Sequence, residues 1–134
     1  MPFVPHRRVL AGALAIALVP AGAALAGGST KVAMDEFTLK ASPKSVTAGK
    51  VTFSVKNSGS DRHELVVLKT STAASKLRVS GGRASEKGRV GAAKNIAAGT
   101  SKALTLTLKK GHYVLICNIP GHYAGGMRSD FTVK

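Results

Sequence analysis

The chain has 134 residues, with 20 Lys and Arg against 6 Asp and Glu, a formal charge of +14, and a single cysteine. This length supports one small hydrophobic core and no second domain, and one cysteine excludes an internal disulfide and a cysteine-ligated iron–sulfur cluster. The basic charge raises nucleic acid as a partner. Trp is absent, however, Tyr and Phe number 2 and 4, and no nucleic-acid motif accompanies the lysines, so none is expected.

The first segment reads as an address, not as part of the fold. His6-Arg7-Arg8 is a short basic patch, and Val9 to Ala26 follows without a charge, ending in Ala24-Leu25-Ala26. A basic start, an apolar run and a small-x-small end are the layout of a secretory signal peptide. Cleavage after Ala26 is expected, giving a leader over 1–26 and a single domain over 27–134. Pro20 and Gly22 in the apolar run favour cleavage over retention as a membrane anchor. The expected location is therefore outside the cytoplasm, in the periplasm, cell envelope or extracellular space. Arg7-Arg8 leaves both the general and the twin-arginine export routes open. Losing this pair takes the formal charge from +14 to +12. A lone thiol in an oxidising compartment must be hidden or bound, so Cys117 requires a role.

The remainder alternates as strands and turns. Glu36 to Lys40 alternates, Ser42-Pro43-Lys44 punctuates, and Val51 to Lys56 is a period-two strand with Val51, Phe53 and Val55 facing inward. Asn57 to Asp61 is a turn cluster. His63 to Lys69 contains Leu65-Val66-Val67-Leu68, a strand buried on both faces. Residues 70–100, rich in Ser, Ala, Gly and Lys, read as turns with one short strand or helical turn at most, forming a mobile surface excursion. Leu104, Leu106 and Leu108 alternate with Thr105 and Thr107. Lys109-Lys110-Gly111 turns the chain, Tyr113 to Cys117 returns as a strand, and Asp130 to Val133 closes the fold. Short strands separated by turns point to an all-β sandwich.

The chemistry lies in Cys117-Asn118-Ile119-Pro120-Gly121-His122-Tyr123-Ala124-Gly125-Gly126-Met127. Cys, His and Met stand at Cys-x4-His-x4-Met, with the cysteine ending a strand and the other two on the following loop. A blue-copper site takes two imidazoles, one thiolate and a weak axial ligand such as a thioether. The loop supplies three of these, and the fourth must come from elsewhere. His63 is the best candidate because it opens a buried strand just after a turn. Calcium would need oxygen ligands, and residues 117–127 contain no carboxylate. Zinc would gain little from the thioether. The expected cofactor is therefore one mononuclear type 1 copper ion held by His63, Cys117, His122 and Met127. His112 is read as a surface residue. The Glu64 side chain is expected to face away from His63 and pair with a base, and backbone N–H groups near the sulfur would tune the potential.

These residues resemble the plastocyanin/azurin superfamily, the cupredoxins. The resemblance runs from about residue 31 to 134 and rests on DRHELVVLK at 61–69 and GHYVLICNIPGHYAGGM at 111–127. The ligand spacing is similar to the rusticyanin and sulfocyanin type. The Cys-to-His gap is similar to azurin's, and the following gap to Met is one residue longer. The resemblance implies a Greek-key β-sandwich of about eight strands with copper near one end. It also implies single-electron transfer between Cu(II) and Cu(I) without a catalysed reaction, with the loop histidine as the electron port. An envelope protein that buffers or delivers copper is the alternative. An enzyme of related fold would place a histidine beside the cysteine, but the neighbours here are Ile116 and Asn118. The basic charge suits an acidic redox protein or an anionic envelope surface, with Arg128 the nearest steering residue to the port. A monomer is expected, with membrane contact possible and no mature transmembrane helix.

Overall fold

The computed structural model describes residues 26–134, so residues 1–25 of the expected leader lie outside it. In chain order the strands are β1 (Gly27–Asp35), β2 (Thr38–Ser42), β3 (Ser45–Val46), β4 (Gly49–Asn57), β5 (His63–Lys69), β6 (Val79–Ser80), β7 (Arg83–Ala84), β8 (Arg89–Ile96), β9 (Ser101–Leu108), β10 (Gly111–Ile116) and β11 (Arg128–Val133). One sheet has the order β2-β1-β4-β9, the other β3-β11-β10-β5-β8, and β6 and β7 form a small hairpin. Three of these strands are only two residues long, which leaves eight longer ones in a Greek-key-like sandwich.

The alternation in β4 sets the first sheet. Val51, Phe53 and Val55 are buried while Ser54 and Lys56 face solvent. β9 runs antiparallel to β4, and Leu104, Leu106 and Leu108 lie on its inward side. The strand reading starting at Glu36 needs correction. β1 ends at Asp35, Glu36 and Phe37 form the turn, and β2 begins at Thr38. β1 itself went unread because Ser29, Lys31 and Ala33 alternate with Thr30, Val32 and Met34, a weak apolar contrast. It pairs in parallel with β4, matching Val32 to Val55.

β5 and β10 are buried on both faces, as the run Leu65 to Leu68 implied. Leu65, Val67, Tyr113 and Leu115 join Phe53 and Phe131 between the sheets. On the other face Val66, Leu68, Val114 and Ile116 pack with Ala74, Ala84 and Tyr123. Residues 70–88 are mostly exposed, as expected of a surface excursion, yet Ala74, Ala84 and half-buried Leu77 cover this face. A 3-10 turn at Ala74–Lys76 is fastened by the Tyr123 hydroxyl, which donates to the Ala74 carbonyl and accepts from Leu77 N–H at 3.0 Å. The Asn118 amide accepts Ala84 N–H at 2.8 Å and donates to the Ala84 carbonyl at 3.0 Å and to Glu86 at 2.9 Å. Residues 89–96 then form a full edge strand against β5. His112 is half-buried and bridges the Thr70 carbonyl and Asp130, away from the metal end.

This clasp has a measurable consequence. Tyr123→Phe keeps the ring but leaves Leu77 N–H and the Ala74 carbonyl without that partner. It should destabilise the metal-free protein by about 1–3 kcal/mol, read from urea unfolding at an unchanged slope.

Candidate metal centre

The antiparallel ladder between β5 and β10 matches Ile116 to Val66, which brings the end of β10 within three residues of the start of β5. Cys117 follows β10 directly and so arrives beside His63 and Glu64. Its Sγ accepts Glu64 N–H at 3.4 Å. The chain then closes a loop on itself. Cys117 N–H donates to the Met127 carbonyl at 3.1 Å, and Met127 N–H donates to the His122 carbonyl at 3.1 Å. A single helical turn, α1 (His122–Gly125), is entered through Gly121 at φ +84° and left through Gly126 at φ +125°. Both angles suit glycine, so the chain can reverse tightly around the histidine.

Three donor atoms converge inside this loop. His63 Nδ1 lies 3.2 Å from His122 Nδ1 and 3.8 Å from Cys117 Sγ, and His122 Nδ1 lies 3.6 Å from the sulfur. His63 and Cys117 are fully buried, and His122 is partly exposed. Such spacings are those of three donors sharing one ion at about 2.0–2.3 Å each. Burial pushes the Cys117 thiol above its usual range, and the N–H groups of Glu64 and Ile119 only partly oppose this. Burial, then the neighbouring His63, holds His122 below its ordinary value and keeps it neutral as a ligand. The donor set therefore fits a thiophilic cation that replaces the thiol proton. Met127 is fully buried in the same core cluster as Cys117, and its backbone joins Cys117 to His122.

Other contributors were not legible in the sequence. Glu36, in the β1–β2 turn, places Oε1 3.1 Å from His63 Nε2. Its carboxylate also accepts Asp61 N–H at 2.7 Å and Ser60 N–H at 3.0 Å. These bonds, from Asp61 first, lower its pKa to about 2, so it is an anion throughout the physiological range. The adjacent Phe37 sets its ring edge-on to His122, with centroids 5.1 Å apart. Buried Asn57 shapes the β4–β5 loop by donating to the Asp61 and Ile96 carbonyls and accepting Gly59 N–H. Only the turn cluster at 57–61 hinted at this. Glu64 takes part through its backbone amide, and its side chain is in none of the ion pairs found among the described residues. Arg128 is partly exposed and packs on the ligand loop. Its guanidinium donates to the Tyr123 carbonyl at 3.0 Å and lies over the Tyr123 ring.

Comparison with known proteins now gives the family. Residues 26–134 match the model for copper binding proteins of the plastocyanin/azurin family. The chain belongs to that family. Its described fold is similar to dithionite-reduced auracyanin from Roseiflexus castenholzii, at 26% identity and a TM-score of 0.60, covering 80% of this chain and 96% of that one. It is similar to auracyanin A, a "blue" copper protein from Chloroflexus aurantiacus, at 18% identity and a TM-score of 0.59, covering 81% and 99%. Rusticyanin from Thiobacillus ferrooxidans aligns at 19% identity with a TM-score of 0.56, covering 79% and 77%. No curated protein matches by sequence. Family membership and the clustered His63, Cys117 and His122 together give a single copper-binding site.

Because the thiol is held protonated, metal uptake must displace its proton. Titration of the reduced metal-free protein with zinc, a redox-inert probe, should release about one proton per ion near neutral pH. Cys117→Ser should release none. Calorimetry in buffers of differing ionisation enthalpy reads both numbers.

Proposed function

We propose that the protein is a single-electron carrier of the cell envelope, with His63, Cys117 and His122 as the strong ligands of one type 1 copper ion and Met127 as its weak axial ligand. One observation carries this reading: two imidazole nitrogens and one buried thiol sulfur lie 3.2–3.8 Å apart in a plastocyanin/azurin-type fold. Copper bound there supplies a one-electron couple. The chain's own residues hold the donors in place, shield the sulfur from water and leave one imidazole partly open. Support for Met127 is its complete burial on the ligand loop, at the position that completes the Cys-x4-His-x4-Met pattern.

Export rests on residues 1–26 as a cleaved leader, and no helix among the described residues is long and apolar enough to cross a membrane. His122 is the electron port. It is partly exposed, flanked by exposed Pro120, Ala124 and Gly125, with Phe37 standing edge-on beside it. That collar is apolar and lets a partner approach without trapped water. Charge is arranged differently around it. Asp61, Glu36 and Glu64 all act electrostatically on His122, whereas Lys31, Lys40 and Lys56 stand on the outward face of the β2-β1-β4-β9 sheet. The basic sheet face suits an anionic envelope surface, leaving the copper end free for a redox partner.

The copper-loaded protein should show an intense thiolate-to-Cu(II) absorption band and reversible one-electron titration. A colourless protein that binds only Cu(I) and yields it readily to acceptors would replace this reading with copper delivery. Cys117→Ser should abolish the band. Met127→Leu should keep the colour and raise the reduction potential, because loss of a weak donor disfavours Cu(II). An unchanged potential would leave Met127 a packing residue. Co-sedimentation with anionic phospholipid vesicles should fall with added salt and with Lys31, Lys40 and Lys56 changed to Glu. Binding that ignores both would remove the anionic-surface assignment.

A further inference from the structure

We propose that Glu36 is a positioning residue for the metal centre: its carboxylate fixes the tautomer of His63 and, through that ring, holds the reduction potential of the copper site down. The proposal rests on the copper reading above and names the residue that tunes it.

The geometry leaves the ring little choice. His63 is fully buried, with Nδ1 turned to Cys117 and His122 and Nε2 turned to Glu36 Oε1 at 3.1 Å. A carboxylate can only accept, so Nε2 must carry the hydrogen and Nδ1 keeps its lone pair for a metal. The partner is itself fixed. Ser60 and Asp61 N–H groups grip its two oxygens, which ties the β1–β2 turn to the loop leading into β5. That loop passes close to the carboxylate: a Cβ at Gly59 would clash with Glu36 Oε1. Glu36, though partly exposed, is thus held at the ring by two backbone N–H groups of the facing loop.

An anionic acceptor draws the Nε2 hydrogen and raises the electron density of the ring, which makes Nδ1 a stronger donor. A stronger donor favours the more charged Cu(II) state. A neutral acceptor of the same shape would orient the ring without that electronic push. The two parts of the proposal can therefore be separated by substitution.

The experiment compares the intact chain with Glu36→Gln and Glu36→Ala by two readouts. The first is long-range proton–nitrogen NMR of His63 in the metal-free protein, which needs no copper. The second is redox titration of the copper-loaded protein. In the wild type His63 should be the Nε2–H tautomer. Glu36→Gln should keep that tautomer and the absorption band yet shift the potential upward. Glu36→Ala should mix the tautomers and shift the potential upward as well. A wild-type His63 protonated on Nδ1 would overturn the positioning role. A Glu36→Gln potential equal to wild type, with the band intact, would overturn the tuning role. If Glu36→Ala fails to fold, Glu36→Gln still decides both. A wild type that gains no blue band would sink the electron-carrier reading instead, and the NMR result would still judge the tautomer.

Discussion

The β5–β10 ladder is the constraint on which the metal end depends. It is an antiparallel pairing of two strands buried on both faces, and such a pairing has little freedom to slip, because a one-residue shift would turn every side chain to the wrong face. Fixing Ile116 against Val66 fixes Cys117 against the start of β5. His63 and the Glu64 amide then meet the sulfur from one side. The ligand loop has to deliver only one more imidazole, and it does so on one helical turn inside a loop that Met127 closes by backbone bonds to Cys117 and His122. The double burial of these strands needs a second cover, which the 70–88 segment and Tyr123 provide. A cover fastened to the ligand loop through Tyr123 and Asn118 thus helps hold the register that makes the ligands converge.

The legible and illegible parts of this arrangement differ in kind. The loop Cys-x4-His-x4-Met could be read because its donors sit close together in sequence, and softness of sulfur ligands limits the metal. The strand at 51–56 could be read because its inward residues are large and strictly alternate. The cover over the second face could not, because its buried residues are mainly Ala74 and Ala84, whose methyl groups give little periodic signal. Its fastening comes from polar side chains, Asn118 and Tyr123, that sit on the ligand loop 30 or more positions away in sequence. Glu36 was hidden for a related reason. It lies 27 residues before His63, in a stretch whose alternation resembled strand, and only the turn between β1 and β2 points it at the ring.

Burial makes the donor cluster conditional on a cation. A desolvated thiol keeps its proton, and two imidazole nitrogens facing each other at 3.2 Å leave room for only one hydrogen between them. A metal resolves both conditions by replacing the thiol proton and taking the lone pairs of both imidazole nitrogens. The residues around the cluster are held by bonds that do not pass through the ligands' donor atoms: Met127 backbone to Cys117 and His122, Asn118 to Ala84, Asn57 to Asp61. The cage is therefore arranged by the fold itself, a condition for small rearrangement when the charge on the metal changes.

The two histidines are set apart by the same short turn. Glu36 grips the far nitrogen of His63, the buried ring, and Phe37 lays its ring against His122, the partly exposed one. A buried imidazole braced by an anion is suited to setting how readily the site gives up an electron, since the ring itself is shut off from solvent. An imidazole that reaches the surface among small apolar neighbours is suited to passing that electron on. Gly125 completes the division, because a Cβ there would press to 3.2 Å from the Phe37 ring. The absence of a side chain at that position lets the turn approach closely enough to touch both rings, so that two adjacent residues serve potential and conduction at once.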